Sequence, residues 1–292
     1  MFDTNPNLIQ DMSGPLRAYG WAPTPLVLIH DGGGTIFSYY FLGDLDRPVY
    51  GIYNPHYHSE KSWAGGIPEM ARHYVDLIRA TVPEGPIILG GWSLGGLLSL
   101  EMSKVLADDP AFQVLGIVMI DSVYPKAAAV AEKMSLPVVQ HATQWNENTR
   151  PETRAAVTRC FAEAMAMVRR WTPPVWESES STSPETAKPG TNGHSASSQS
   201  HRPPPVFLLR AREPVPVLAD GVSRVDVYRR DRLLGWENYR KDLIVRVVDI
   251  EGHHFNIFAM QHLDDITEKL KNVCCEVETW GKYTEPVNGF GF

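Results

Sequence analysis

Short apolar runs recur along the sequence, and each is bounded by glycine, proline or polar residues. They cover residues 25–30, 48–53, 86–90, 114–120, 206–211 and 243–250. Runs of this length without polar alternation are typical of strands that are buried on both faces of a parallel sheet. Amphipathic segments typical of helices occur at residues 68–82, 97–106, 152–171 and 263–273. Strand, helix and strand at this spacing indicate right-handed crossovers, so the pattern predicts an α/β fold with a mostly parallel sheet flanked by helices.

The regular alternation stops between residues 124 and 205. A helix is predicted from Glu152 to Trp171, because apolar residues recur there at helical spacing and prolines follow its end. Residues 177–205 are rich in Ser, Thr, Pro and Gly and almost free of aliphatic side chains, so we expect them to be disordered. We therefore predict a single domain over residues 1–292, with an insertion at 124–205 that is part helical cap and part flexible loop. Residues 1–24 look like an irregular lead-in.

The composition is that of an ordinary globular protein, with 43% hydrophobic and 21% charged residues in a chain of 292. A formal net charge of -7 argues against general nucleic-acid binding. The N-terminus lacks the features of a signal peptide, and no apolar run approaches the roughly 18 residues of a membrane span. Three cysteines fit neither a zinc site nor a disulfide framework. We expect a cytoplasmic protein without a metal site, a membrane or a nucleic acid as partner.

The predicted strand 86–90 leads into Gly91-Trp92-Ser93-Leu94-Gly95, and a helix follows. This segment fits the G-x-S-x-G nucleophile elbow in the strand–turn–helix context that the motif requires. A side chain at position 91 or 95 would collide with the neighbouring strand or helix, which explains the glycines. The turn would expose Ser93 near a helix N-terminus, whose free N–H groups attract developing negative charge.

Other chemically useful residues also follow directly on predicted strands. They are Asp121, the adjacent pair His253 and His254, and the glycine-rich loop 31–34. The carboxyl ends of strands in an open parallel sheet share one edge, where ligands bind. The order Ser, Asp, His is that of an α/β-hydrolase triad. From the residues alone, His253 and His254 are equal candidates for the base, and Glu213 and Asp220 are alternatives to Asp121 for the acid.

The expected roles follow from proton chemistry. A serine hydroxyl is a weak nucleophile at neutral pH, so a histidine must take the proton of Ser93 as it attacks an acyl carbonyl. The acid would hold that imidazole in one tautomer. The backbone N–H groups of Leu94 and Gly32 are candidates for the oxyanion hole. Gly33 and Trp92 are candidates for bordering the substrate, although we expect Trp92 to serve mainly in packing.

Four segments together resemble the thioesterase domains that release products from polyketide synthases and non-ribosomal peptide synthetases. They are 29–34 (IHDGGG), 91–96 (GWSLGG), 119–122 (MIDS) and 252–255 (GHHF), and the similarity spans most of residues 25–275. The resemblance implies an α/β-hydrolase fold whose acid follows the strand after the elbow, which favours Asp121. It implies that the histidine precedes an aromatic residue, which favours His254. It also implies that residues 124–205 form a lid over the acyl chamber.

The resemblance further implies a thioesterase of fungal secondary metabolism. A polyketide-type acyl chain would pass from a carrier-protein thioester to Ser93 and leave as the acid when water attacks the acyl-enzyme. The alternatives are an acyltransferase or cyclase with a hydroxyl, amine or carbanion acceptor, and a general carboxylesterase. The expected partner is an acyl carrier protein or polyketide synthase. Its phosphopantetheine arm would carry the substrate, so the enzyme itself would need no cofactor.

A basic run stands out on this acidic chain. It consists of Arg229, Arg230, Arg232, Arg240 and Lys241. Because carrier proteins are commonly acidic, one interpretation is a docking patch for the carrier. The alternative is an ordinary solvated face.

Overall fold

The structure, a computed structural model, describes residues 4–12, 23–59, 61–133, 135–139, 145–176, 202–217 and 220–284. Most of the stretch expected to be disordered, residues 177–201, lies outside these ranges, so that expectation stays a prediction. Within the predicted insertion, the described part contains helices and one very short strand.

Nine strands lie in the described part of the chain. They are β1 (Asn7–Gln10), β2 (Leu26–Ile29), β3 (Val49–Ile52), β4 (Gly85–Trp92), β5 (Phe112–Ile120), β6 (Val138–Val139), β7 (Val206–Glu213), β8 (Val222–Ser223) and β9 (Ile244–His253). Seven of them form the main sheet in the order β1-β3-β2-β4-β5-β7-β9, while β6 pairs with β8. Within the main sheet β1 runs antiparallel to β3 and the other neighbours are parallel, which confirms the predicted sheet. The prediction that residues 1–24 are irregular is wrong for residues 7–10, which form β1.

Five α-helices are described. They are α1 (Gly66–Thr81), α2 (Leu94–Val105), α3 (Ala127–Lys133), α4 (Pro151–Arg170) and α5 (Leu263–Thr284). α4 agrees with the helix predicted for residues 152–171. It begins with a proline in its first turn, where no backbone N–H is needed, and prolines follow its end. α5 continues well past the predicted end at residue 273.

Apolar side chains of the strands alternate between two cores. In β2, Val27 and Ile29 belong to the core that includes α1 and α2, whereas Leu26 and Leu28 belong to the core that includes α5. Both faces of the sheet are therefore buried, which is why its strands appear as unbroken apolar runs in the sequence. The loops after β2, β4, β5 and β9 meet at the carboxyl edge of the sheet.

Candidate active site

Ser93 occupies a tight turn between β4 and α2. Its backbone has φ 56° and ψ -112°, a strained conformation for a residue other than glycine. Side chains cannot be added on either side of this turn. A Cβ at Gly91 would lie 2.5 Å from the carbonyl oxygen of Ile29, and a Cβ at Gly95 would lie 2.3 Å from the same oxygen. The turn thus has the strand–turn–helix form and the glycine requirement of a nucleophile elbow.

The side chains of Ser93, His254 and Asp121 form a hydrogen-bonded row at the carboxyl edge. His254 Nε2 lies 3.1 Å from Ser93 Oγ, and His254 Nδ1 lies 2.8 Å from Asp121 Oδ2. Asp121 and His254 follow β5 and β9, and both are buried. With the proton on Nδ1, the imidazole donates to Asp121 and its Nε2 accepts the hydroxyl proton of Ser93. This arrangement can move a proton from the serine onto the imidazole.

The alternative candidates lie differently. Glu213 and Asp220 have exposed side chains. His253 borders the same cavity as Ser93, but its Nδ1 accepts the Phe255 N–H at 3.3 Å. The structure therefore brings Asp121 and His254, rather than these residues, into the row with the serine.

Asp121 accepts hydrogen bonds on both carboxylate oxygens. Oδ1 accepts from the Ala211 N–H at 2.9 Å and from Arg229 Nη1 at 2.6 Å. Oδ2 accepts from Arg229 Nη2 at 2.7 Å in addition to His254 Nδ1. Burial opposes ionisation of Asp121, but the hydrogen bonds from Arg229 and His254 outweigh it, and the pKa of this carboxyl lies well below its usual range. Asp121 is therefore charged and held in one orientation.

One interpretation of the basic run placed Arg229 on a docking surface, but the structure buries it. Its side chain is only 8% exposed, and its Nε donates to Asp226 Oδ1 at 2.8 Å. The docking interpretation is wrong for this residue, because its charge is matched by Asp121 and Asp226 inside the protein. No motif or spacing in the sequence predicts the contact between Asp121 and Arg229. The acidic residue at 226, three positions before Arg229, was the one sign that Arg229 is paired within the protein. Arg240, which pairs with Asp242 at 2.6 Å, precedes β9 and so lies at the opposite edge of the sheet from His254.

The loop after β2 supplies backbone donors beside Ser93. The Gly33 N–H donates to Asp31 Oδ1 at 3.0 Å, and the Gly34 N–H donates to the Asp31 carbonyl at 3.1 Å. Among the described residues, no acceptor is bonded to the N–H of Gly32 or Leu94, and both residues line the same cavity as Ser93. These two donors are available to a ligand at the serine.

Two ionisable residues in this loop have shifted pKa values. Burial raises the pKa of Asp31 to about 6, although the Gly33 N–H and the nearby His254 favour its charged form. Burial lowers the pKa of His30 to about 4, against the effect of its bond to the Asp31 carbonyl, and its Nε2 lies 2.7 Å from the Tyr74 hydroxyl. His30 is therefore neutral at physiological pH. Asp31, which the sequence did not single out, is an acidic group on the cavity wall close to His254.

A cavity of about 750 Å³ opens at Ser93. Much of its wall is apolar, and α4 covers it. The apolar lining includes Leu97, Val123, Tyr124, Phe161, Met165 and Val168. The ring of Phe161 packs so closely on the glycine loop that a Cβ at Gly32 would lie 2.9 Å from it. The helix expected to cap the site thus closes over the backbone donors beside the serine.

The two residues expected to border the substrate differ in position. The Trp92 ring borders the cavity, and its centroid lies 5.7 Å from that of His254 and 5.3 Å from that of Phe258. Gly33 is not among the cavity-lining residues of the described chain, and its N–H is bonded to the Asp31 side chain. Asp31 and Gly32 form that part of the wall instead.

Within the described ranges, no group of three or more His, Cys, Asp or Glu side chains could hold a metal ion. No described helix combines the length and apolar character needed to cross a membrane.

The mostly parallel sheet, the elbow after β4 and the Ser–His–Asp row at its carboxyl edge are those of an α/β hydrolase. The model of the thioesterase domain family matches residues 24–274, and the chain belongs to this family. This confirms the predicted family and fold class, and membership of the thioesterase family makes the protein a hydrolase.

Curated relatives are similar in sequence to this protein over nearly its whole length. Thioesterase frbE from Dothideomycetidae sp. (strain 11243) is 37% identical over 282 residues, which are 92% of this chain and 95% of that protein. Thioesterase AMT4 from Alternaria alternata is 34% identical over 278 residues, covering 94% of this chain and 93% of that one. The nonribosomal peptide synthetase imqB of Aspergillus flavus is 33% identical over 281 residues, which are 94% of this chain but 8% of the synthetase.

Solved structures show the same fold at low sequence identity. The NocB thioesterase domain, in covalent complex with a fluorophosphonate nocardicin G analog, has a TM-score of 0.56 and 22% identity, covering 86% of this chain and 94% of that one. The Vlm2 thioesterase domain, bound with a dodecadepsipeptide, has a TM-score of 0.57 and 15% identity, covering 87% and 95%.

Proposed function

We propose that this protein cleaves carrier-bound, polyketide-type acyl thioesters through an acyl-enzyme on Ser93. The observation that carries the proposal is the hydrogen-bonded row in which His254 Nε2 lies 3.1 Å from Ser93 Oγ and His254 Nδ1 lies 2.8 Å from Asp121. Thioesterase relatives and a cavity large enough for an acyl chain support it.

In the first half of the reaction, Ser93 Oγ attacks the thioester carbonyl and its proton passes to His254 Nε2. The carbonyl oxygen becomes an oxyanion, which accepts hydrogen bonds from the N–H groups of Gly32 and Leu94. The C–S bond then breaks, and the leaving thiolate takes the proton from His254. The product of this half is an ester on Ser93 and a free thiol.

In the second half, water attacks the ester carbonyl and gives a proton to His254. The bond between the acyl carbon and Ser93 Oγ breaks, and the proton returns from His254 to that oxygen. The acyl chain leaves as a carboxylic acid. Asp121 stays ionised throughout and stabilises the imidazolium that forms in each half. The steps use water and this chain alone, and the phosphopantetheine arm that presents the thioester belongs to the partner.

Arg229 is the positioning residue of this site. Its guanidinium binds both oxygens of Asp121, at 2.6 and 2.7 Å, and Asp226 holds the guanidinium from behind. A forked, planar donor suits a carboxylate that must keep one orientation. Within the described chain no hydrogen bond joins Arg229 to Ser93 or His254, so it acts through Asp121.

The carrier-protein partner is inferred from the relatives. The match to the synthetase imqB covers 94% of this chain and 8% of that protein, so a similar domain lies within a much larger synthetase. A domain in that setting is expected to receive its acyl group from a carrier.

The test compares Ser93→Ala with Ser103→Ala. Ser103 lies on the same helix, α2, near its C-terminal end, and its hydroxyl is buried and bonded to the Leu100 carbonyl. With octanoyl-N-acetylcysteamine as substrate, we expect Ser93→Ala to lose at least about 10⁴-fold in kcat and Ser103→Ala to keep its turnover. Both variants should retain the parent melting temperature to within a few degrees.

Covalent labelling gives a second readout. A fluorophosphonate probe should modify the parent protein at Ser93, as peptide mass mapping would show, and leave Ser93→Ala unlabelled. Turnover by Ser93→Ala at the parent rate, or labelling at another serine with loss of activity, would refute the proposed role of Ser93.

A further inference from the structure

Arg224 is a cation on the wall of the cavity that opens at Ser93. It follows β8 and begins a short 3-10 turn, Arg224–Asp226. Its chain neighbours Ser223 and Val225 also line the cavity, and the apolar lining further includes Pro216 and Val168 of α4. A guanidinium in such a wall is costly unless something pairs with it.

No partner for this charge is found in the described chain. Arg224 makes no ion pair or hydrogen bond with the described residues, and the neighbouring charge that acts on it is Arg169, of the same sign. Burial lowers the pKa of Arg224, and Arg169 acts in the same direction. Both effects mean that an anion close to Arg224 would be favoured.

The carboxylates of the same turn and of Asp31 on the cavity wall already accept hydrogen bonds from other groups. Asp226 lies in the same turn, but one of its oxygens binds Arg229 and the other accepts the Val215 N–H at 2.7 Å. Asp31, also on the cavity wall, accepts the Gly33 N–H at 3.0 Å and lies close to His254. Within the described ranges, Arg229 is thus matched with two carboxylates and Arg224 with none.

We propose that Arg224 binds a carboxylate carried by the acyl chain at a position remote from the thioester. This rests on the proposed function, since it assigns the acyl chain to the cavity at Ser93. A guanidinium presents paired N–H donors that match a carboxylate, and in a sheltered wall it selects for charge more strongly than at a surface. The preferred substrates are therefore monothioesters of dicarboxylic or carboxyl-bearing polyketide chains.

The experiment uses two series of N-acetylcysteamine thioesters on the full chain. One series is made from dicarboxylic acids, from glutaric to sebacic, and the other from methyl-ended acids of the same carbon number. We expect the parent protein to prefer a carboxyl-ended chain at one length. Arg224→Met should lower kcat/KM for that chain about tenfold or more and leave the methyl-ended partner unchanged. Arg224→Lys should keep part of the preference, which also covers the case in which the Met variant does not fold.

Arg230→Met is the matched control, because Arg230 is exposed and does not line the cavity. It should keep the parent preference. Equal loss on both series in Arg224→Met, or no preference at any length in the parent, would overturn the proposal. A third arm presents the same acids as coenzyme A thioesters. An effect of Arg224→Met that is confined to this arm and equal for both series would also overturn the proposal, because Arg224 would then bind the phosphates of the thiol arm. Hydrolysis of the methyl-ended series, and its loss in Ser93→Ala, tests the proposed function separately.

Discussion

Arg224 and Arg229 belong to one segment between β8 and β9, yet their surroundings differ in kind. Arg229 is almost fully buried and bonded to Asp121 and Asp226. Arg224 borders the acyl cavity and has no carboxylate partner among the described residues. One charge is matched within the protein, and the other is left for a ligand.

The difference separates two uses of the same side chain. A buried charge with matched partners fixes geometry, and removing it leaves other charges stranded in a low-dielectric interior. An unmatched charge in a cavity wall lowers the free energy of unfolding, and this desolvation cost is offset only when an anion binds. Substitutions at the two positions should therefore differ in their effects on folding, on turnover and on substrate choice.

The largest effect is expected for Arg229→Met. Asp121 and Asp226 would lose their shared cation while buried, so the free energy of unfolding should fall by about 3 kcal/mol. Turnover should fall with it. The acid limb of the kcat/KM profile should also move to higher pH, because the uncompensated charge of Asp121 would hold the imidazolium more tightly. Urea unfolding and a pH–rate profile measure the two effects.

Two control variants, Arg229→Lys and Arg230→Met, show whether the effects of Arg229→Met come from losing the guanidinium at this buried position. The lysine variant should recover part of the stability and return the pH profile toward the parent, and the exposed Arg230 variant should change stability by less than about 0.5 kcal/mol. A purely structural role for Arg229 predicts lower stability with an unmoved pH profile, and that outcome would remove it as a positioning residue.

An intermediate effect is expected for Asp31→Asn, which changes the acidic group of the cavity rather than its cation. The pKa of Asp31 is raised from 3.8 to about 6, so the folded protein holds this proton more tightly than the unfolded chain. Its contribution to stability is present below about pH 4 and is lost as the pH rises to about 6. The asparagine keeps an acceptor for the Gly33 N–H and removes the charge.

The measurement is the free energy of unfolding of both proteins at pH 4.5 and pH 7. We expect the variant to gain about 1 kcal/mol relative to the parent at the higher pH, after allowance for solvent contact at the cavity wall. His30, whose pKa is lowered to about 4, makes stability fall as the pH drops, but it is present in both proteins and cancels in the difference. No change between the two pH values would contradict a raised pKa at Asp31.

The smallest effect on folding is expected for Arg224→Met. Among the described residues no buried charge depends on this guanidinium. Its removal should therefore change the free energy of unfolding by less than about 0.5 kcal/mol or raise it slightly. Thermal or urea unfolding of the substrate-free protein measures it. A loss comparable with that of Arg229→Met would mean that Arg224 is structurally paired, and the comparison between the two arginines would fail.

The sequence predicted the central strands well because those strands are covered on both faces and therefore appear as unbroken apolar runs. It also predicted which loops meet, since the residues that follow parallel strands share one edge of the sheet. The elbow could be found because Gly91 and Gly95 are required by contacts with the carbonyl oxygen of Ile29. These are local or topological constraints, and they leave a mark in the order of residues.

The other features of the fold and site depend on long-range contacts that produce no recognisable pattern in the sequence. β1 is a four-residue, mostly half-buried strand with polar residues, so it shows no apolar run. Arg229 meets Asp121 only because an irregular segment folds back across the end of β5, and that path cannot be read from a period or a motif. The same segment decides that Arg224 borders the cavity. The composition of the loop after β2 also could not show that Asp31 and Gly32 would line the cavity.

Ser93 follows the central strand of the sheet, whereas His254 follows β9, which pairs on one side only among the described strands. Border strands detach from a sheet at a lower free-energy cost than strands held on both sides. We therefore expect the segment that carries the proton acceptor to open at a lower free energy than the elbow. Amide exchange over residues 244–253 would then report loss of competence at temperatures where the elbow and the bulk of the protein are still folded.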